Sequence, residues 1–221
     1  MKDIRIEALV FDMDGLLLDS ERIVQRSWED TGNSLGIPNM GSQIYHTLGM
    51  NRASRNEYFS RVIGPDFPHE AFTLGTRKRF YEIVETEGLP VKKGAKELLE
   101  YAKSQNYKLA VATSSSEDYA SHVLKEAGIF DYFDGMIFGN MVTKSKPDPE
   151  IYLKACERIG VEPAHALALE DAPGGIRSAH AAGLYPVMVP DLVQPTEEIE
   201  ALLYRKYESL LDVIDLLKEL K

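Results

Sequence analysis

Ala8-Leu9-Val10-Phe11-Asp12-Met13-Asp14-Gly15 sets four apolar residues directly before two acids and a glycine. A short apolar run bounded by a turn signal suits a strand buried on both faces of a parallel sheet. The same pattern returns at Tyr107 to Thr113, Gly135 to Phe138, Ala166 to Leu169 and Tyr185 to Val189. Helical patterns lie between these runs. Gly94 to Ser104 places Leu98, Leu99 and Ala102 on one face, and Asp118 to Ala127 does so with Ala120, Val123, Leu124 and Ala127. Pro149 to Ile159 and Gly174 to Ala182 continue the alternation. Strand and helix in turn predict an α/β fold with a doubly wound parallel-sheet (Rossmann-like) core.

Residues 18–89 break that rhythm. They hold helical stripes (Ile23, Ser27 and Trp28; Phe72, Thr76 and Phe80) and no buried strand, so a helical insert is expected, with Gly88-Leu89-Pro90 as its return hinge. The division expected is 1–17 and 90–221 as the α/β core and 18–89 as the insert. From Pro195 onward the tail reads as helical and amphipathic.

Composition narrows the function. The chain has 221 residues, 44% hydrophobic and 27% charged, as a folded globular chain does, with a formal net charge of −10. That charge disfavours a phosphodiester backbone, so no nucleic-acid partner is expected, but a small phosphorylated molecule needs only a local positive site. The single cysteine, Cys156, lies in a helical stretch and reads as a packed thiol. Met1 to Glu7 is too polar for the apolar part of a signal peptide, and no apolar run approaches the roughly 20 residues of a membrane span. A cytoplasmic monomer with no membrane partner is the expectation.

Asp12 and Asp14 fall where open α/β sheets bind ligands, beyond the carboxyl end of a strand. In extended chain they point the same way, and Gly15 permits a tight turn. An acidic strand-to-loop turn would look the same. Leu167-Ala168-Leu169-Glu170-Asp171-Ala172-Pro173-Gly174-Gly175 repeats the arrangement, although Asp171 equally suits a helix cap. If both strand ends share one edge, up to four carboxylates meet, and each like pair at about 4 Å repels by about 4 kcal/mol at an effective dielectric of roughly 20. Such a cluster calls for a cation, and an all-oxygen donor set favours Mg²⁺. Thr113-Ser114-Ser115-Ser116 follows another strand and suits an anion site, or a plain serine-rich cap. Lys146, in Lys144-Ser145-Lys146-Pro147-Asp148-Pro149, could neutralise a phosphate or carboxylate if that proline-stiffened turn holds it inward.

The order acid pair, hydroxyl, lysine, acid pair resembles the haloacid dehalogenase-like hydrolase superfamily over essentially the whole chain. Asp12-Met13-Asp14-Gly15 looks like its first motif, Thr113 its second, Lys146 its third and Glu170-Asp171 its fourth. Within it, Asp12 through Ser20 and Ser145-Lys146-Pro147 most resemble the β-phosphoglucomutase-like phosphatases, whose small helical cap corresponds to the insert. The resemblance implies a Mg²⁺-dependent phosphoric monoester hydrolase acting on a small phosphomonoester. Asp12 would be the nucleophile and Asp14 the acid and base. Mg²⁺ would sit on Asp12, the backbone carbonyl of Asp14 and Asp171, with Glu170 bound directly or one layer out. Thr113 and the Ser114 N–H would bind phosphoryl oxygens, Ser115 joins Ser114 as a substrate-binding candidate, and Lys146 would balance charge. Asp14 separates the chain from the superfamily's dehalogenases, which lack this second acid.

Thr47-Leu48-Gly49-Met50-Asn51-Arg52 resembles the cap loop that contacts substrate, which makes Gly49, Asn51 and Arg52 candidates for substrate binding, with Arg52 at the place of a phosphate-binding arginine. Glu21 and Gln25 are further candidates to face the site. A mutase of this group carries a cap histidine where Val24 stands and a lysine where Leu48 stands, so a phosphatase is favoured over a sugar-phosphate mutase. His46 and His69 match neither place and read as surface or packing residues. A non-catalytic phosphate-binding protein is the other alternative, and retention of both Asp12 and Asp14 speaks against it.

Overall fold

The computed structural model describes residues 5–47, 50 and 52–220. Among these, six strands form one parallel sheet: β1 (Ala8–Phe11), β2 (Lys108–Ala112), β3 (Gly135–Ile137), β4 (Ala166–Glu170), β5 (Tyr185–Met188) and β6 (Arg205–Lys206), in the order β3-β2-β1-β4-β5-β6. The helices of eight residues or more are α1 (Ser20–Ser34), α2 (Arg52–Val62), α3 (His69–Glu87), α4 (Ala95–Ser104), α5 (Glu117–Glu126), α6 (Glu150–Ile159) and α7 (Pro173–Ala181), and, after the one-turn α8 (Glu197–Glu200), α9 (Leu210–Glu219). No helix among the described residues is long and apolar enough to cross a membrane.

The two-residue period of the strands divides the core into two unlike layers. Leu9 and Phe11 of β1, Leu109 and Val111 of β2, and Leu167 and Leu169 of β4 join the cluster that contains Leu98, Leu99, Val123, Leu124, Val213 and Leu217 from α4, α5 and α9. Ala8, Val10, Ala110, Ala112, Ala166 and Ala168 point the other way, into a cluster with Ile151, Tyr152, Ala155, Cys156 and Ala179 from α6 and α7. Large residues fill one face, and small ones let helices approach the other. Cys156 is buried there, as a packed thiol, and burial pushes it up to about 11.

From β1 the chain runs outward to β2 and β3, then crosses back to β4 on the other side of β1. The crevice where strand order reverses lies at the carboxyl ends of β1 and β4. Phe11 is in register with Leu169, and the Asp12 N–H donates to the Leu169 carbonyl at 2.9 Å. The two acid pairs are therefore neighbours across a single hydrogen-bonded step.

The segment from α1 to α3 contains no sheet strand among its described residues. Trp28, Met40, Ile44, Phe59, Phe67 and Phe72 form its own cluster, with Trp28 edge-on to Phe59 at 5.5 Å and Phe72 at 5.8 Å. The chain leaves and returns side by side: Leu18 bridges Val91 antiparallel, the Asp19 N–H donates to Pro90 O, and the Lys92 N–H donates to Leu17 O. The tail departs from the all-helical expectation. Between α8 and α9 it adds β6 to the sheet edge, through Tyr204 N–H to Pro186 O and Tyr207 N–H to Met188 O. Two exposed residues, Arg205 and Lys206, are too few to show an alternating pattern.

Candidate active site

The loops at this sheet edge and the facing side of the helical segment enclose a cavity of about 470 Å³. Asp12, Glu170 and Asp171 reach it from the ends of β1 and β4, and all three are buried. Lys146 is also buried, and its ammonium donates to Asp12 Oδ1 at 2.5 Å, Glu170 Oε1 at 2.6 Å and Ala112 O at 2.9 Å. Tyr152 Oη donates to the same Glu170 oxygen at 2.5 Å. Burial pushes Asp12 up to about 7; Lys146 opposes this, and Glu170 and Asp14 add to it. Burial alone would lower Lys146, but Asp12 and Glu170 outweigh it and hold the ammonium above the usual lysine range. Burial, then Asp12 and Glu170, raise Asp171 well above the ordinary carboxylate range.

One ammonium does not balance this group. Asp12, Glu170 and Asp171 each offer an oxygen within 4.8 Å of the others, and no hydrogen bond among the described residues reaches the Asp171 carboxyl. A buried carboxyl without a donor is costly, and an all-oxygen set of this size suits a hard divalent cation such as Mg²⁺. The Asp14 carboxyl is not part of this group. Two glycines make room for the acids: a Cβ on Gly175 would lie 1.8 Å from Glu170 Oε1, and one on Gly15, whose φ is +82°, 2.3 Å from Asp171 Oδ2.

Asp14 is held by hydroxyls. Ser20 Oγ donates to Oδ1 at 2.7 Å, Ser115 Oγ to Oδ2 at 2.7 Å, and Tyr119 Oη to Oδ1 at 3.3 Å. After β2, the Ser115 N–H donates to Thr113 Oγ1 at 3.0 Å, which leaves the Thr113 proton free to donate. Ser115 lines the cavity, and its N–H and hydroxyl hold Thr113 and Asp14. The Ser114 hydroxyl is buried without a partner among the described residues. A Cβ on Gly139 would lie 2.1 Å from Ser114 O, so glycine lets β3's loop press against this turn. The loop carrying Lys146 is pinned by Glu150, whose carboxylate accepts the N–H groups of Thr143 and Lys144 at 2.8 to 3.1 Å.

The helical segment contributes the opposite wall. Arg52 lines the cavity. Arg55, which local sequence did not single out, lies over Trp28 at 5.3 Å and also lines it. Burial and the neighbouring Arg52 hold Arg55 below the usual arginine range, against Glu21. Glu21 faces the cavity as expected; burial, then Asp14 and Asp12, push it up to about 8. Gln25 does not reach the cavity and donates to Tyr45 Oη at 3.3 Å, because its place on α1 turns it toward the neighbouring turn. Val24 lines the cavity. His46 stacks on Tyr58, and His69 bonds Ser60 beside Phe67. Leu48, Gly49 and Asn51 lie outside the described residues.

The parallel sheet thus carries an acid-lysine-hydroxyl cluster at its switch point between β1 and β4, where α/β enzymes bind their ligands. The haloacid dehalogenase-like hydrolase family matches residues 6–183, and the chain belongs to it. It is 35% identical to YhcW of Bacillus subtilis (strain 168), over 94% of this chain and 91% of that one. It is 34% identical to the phosphorylated carbohydrates phosphatase of Thermotoga maritima, over 81% of this chain and 82% of the relative. The crystal structure of CbbY from Rhodobacter sphaeroides in complex with phosphate superposes with a TM-score of 0.79 at 28% identity, covering 94% of this chain and 96% of that one. The chain is thus an enzyme of the phosphoric monoester hydrolase class.

Proposed function

We propose that this enzyme is a Mg²⁺-dependent phosphatase of small phosphomonoesters, sugar phosphates foremost, that works through an aspartyl-phosphate on Asp12. One observation carries the reading: the buried Asp12 shares its cavity with Lys146, with an acid pair suited to a cation, and with a second acid held by hydroxyls two residues on. An Asp12 oxygen bonds to phosphorus as the bond from phosphorus to the substrate oxygen breaks, and Asp14 gives that oxygen a proton. Water then attacks phosphorus, the bond to Asp12 breaks, Asp14 takes the water's proton, and inorganic phosphate leaves. The Thr113 hydroxyl and the Ser114 N–H hold phosphoryl oxygens. Lys146 keeps Asp12 and Glu170 from repelling each other and offsets charge on the phosphoryl group. Mg²⁺, on Asp12, Asp171 and the Asp14 carbonyl, with Glu170 direct or one layer out, would supply the positive charge that lets one anion approach another.

In this reading residues 18–89 are a cap that closes over 1–17 and 90–221, excludes water and selects the leaving group through Arg52, Gly49 and Asn51. The Thermotoga maritima relative, named for phosphorylated carbohydrates, supports a carbohydrate ester. The apolar Val24 in the cavity wall favours hydrolysis over a mutase cycle, which must retain and turn a bisphosphate. The buried Cys156 is compatible with cytoplasmic residence, and in this reading the enzyme works as a monomer.

The test is phosphate release from a panel of sugar, polyol and nucleotide monophosphates with Mg²⁺ and with EDTA, including β-glucose 1-phosphate with a coupled readout for glucose 6-phosphate. Mg²⁺-dependent phosphate release is expected. Glucose 6-phosphate formed with little free phosphate would replace the reading with a mutase, and silence across the panel with or without EDTA would replace it with a binding protein.

A further inference from the structure

Asp14 is gripped from three directions: by Ser20 at the start of α1, by Ser115 after β2, and by Tyr119 on α5. The two serines lie on the loop and helix start that make the site. Tyr119 lines the cavity from α5 instead, and it carries something they lack. Its ring packs edge-on against Phe80 of α3, with centroids 5.6 Å apart. It touches both the main core cluster and the cluster of Ile23, Phe80 and Ile83 in the helical segment. We propose that Tyr119 is a positioning residue for the Asp14 carboxyl, and that its ring ties the aim of that carboxyl to the seating of the helical segment.

The geometry makes this specific. Ser20 and Tyr119 both donate to Oδ1, while Oδ2 has Ser115 alone. Two donors saturate Oδ1 and fix the carboxyl plane, so Oδ2 is the oxygen left to exchange a proton with the ester oxygen. A shift of α3 moves Phe80, and with it the ring that places the hydroxyl. An acid misplaced by a fraction of an ångström loses rate without losing substrate affinity.

The inference rests on Asp14 as the proton carrier proposed above, and the experiment separates the two. The specificity constant kcat/KM, which reports the step in which the leaving group departs, is measured for wild type, Tyr119→Phe, Phe80→Leu and Asp14→Asn. The substrates are the best alkyl phosphate of the panel and p-nitrophenyl phosphate, whose leaving group needs little protonation. In Tyr119→Phe, the ratio of aryl to alkyl kcat/KM is expected to rise roughly tenfold, with KM for the alkyl ester within about twofold and the thermal midpoint retained. Phe80→Leu, which keeps the hydroxyl, is expected to shift the ratio in the same direction by less. An equal fall for both esters in Tyr119→Phe, or an unchanged ratio, overturns the inference while Asp14→Asn still discriminates between them. If Asp14→Asn does not discriminate, the proton-carrier reading fails and the inference falls with it.

Discussion

Lys146 stands between Asp12 and Glu170 with its ammonium 2.5 and 2.6 Å from them. Its removal leaves two buried carboxyls facing each other without a cation, the case in which breaking a buried pair is costly. Lys146→Met is expected to lose about 3–5 kcal/mol of stability in urea unfolding of the metal-free protein, and phosphate release with it; a loss under about 1 kcal/mol would remove Lys146 as the keystone of the acid cluster. Asp12, Asp14, Thr113, Glu170 and Asp171 were legible because each ends or follows an apolar strand, and Lys146 only through its place in the order of these motifs. Tyr119, Tyr152 and Arg55 were not. Each lies within a helix whose local pattern is an ordinary amphipathic one, and only the folded chain brings it to Asp14, Glu170 or Trp28. Gln25 shows the converse: a residue beside Glu21 on the same helix can still point away from the site.

At the level of elements, the first turn of α6 aims the lysine loop. Hydrogen bonds from Lys154 and from the backbone N–H groups of Lys144 and Thr143 hold Glu150 down at about 2, against an ordinary 4.5. A depressed carboxyl contributes its stability above its unfolded value and loses it as pH falls through its folded one. Wild type is therefore expected to exceed Glu150→Gln in denaturation midpoint at pH 7, with the gap closing from about pH 4.5 toward 2; a gap constant over that window would show that the Glu150 charge holds nothing. The strands were readable from apolar runs because burial on both faces leaves no polar position to blur them. β6 was not, since an edge pair owes its place to Pro186 and Met188 of β5 rather than to its own side chains.

Over the whole molecule, a chain of net charge −10 concentrates buried acid at one point and faces it with arginines from the helical segment. The insert could be recognised as a stretch without strands. Its seating could not, because Leu18 with Val91, and Tyr119 with Phe80, are contacts between distant residues. A cation that binds only the folded cluster must stabilise the fold, by about 2.7 kcal/mol at a hundredfold excess over its dissociation constant. Mg²⁺ is expected to raise the thermal midpoint reversibly with EDTA, and Asp171→Ala to abolish the shift; a shift that survives the substitution would place the ion elsewhere. The most direct measurement is inorganic phosphate released from the best panel substrate by Asp12→Asn beside wild type, with Mg²⁺ and with both proteins shown folded by their melting curves. A loss of about a thousandfold or more is expected, and phosphate release undiminished in Asp12→Asn would contradict the mechanism.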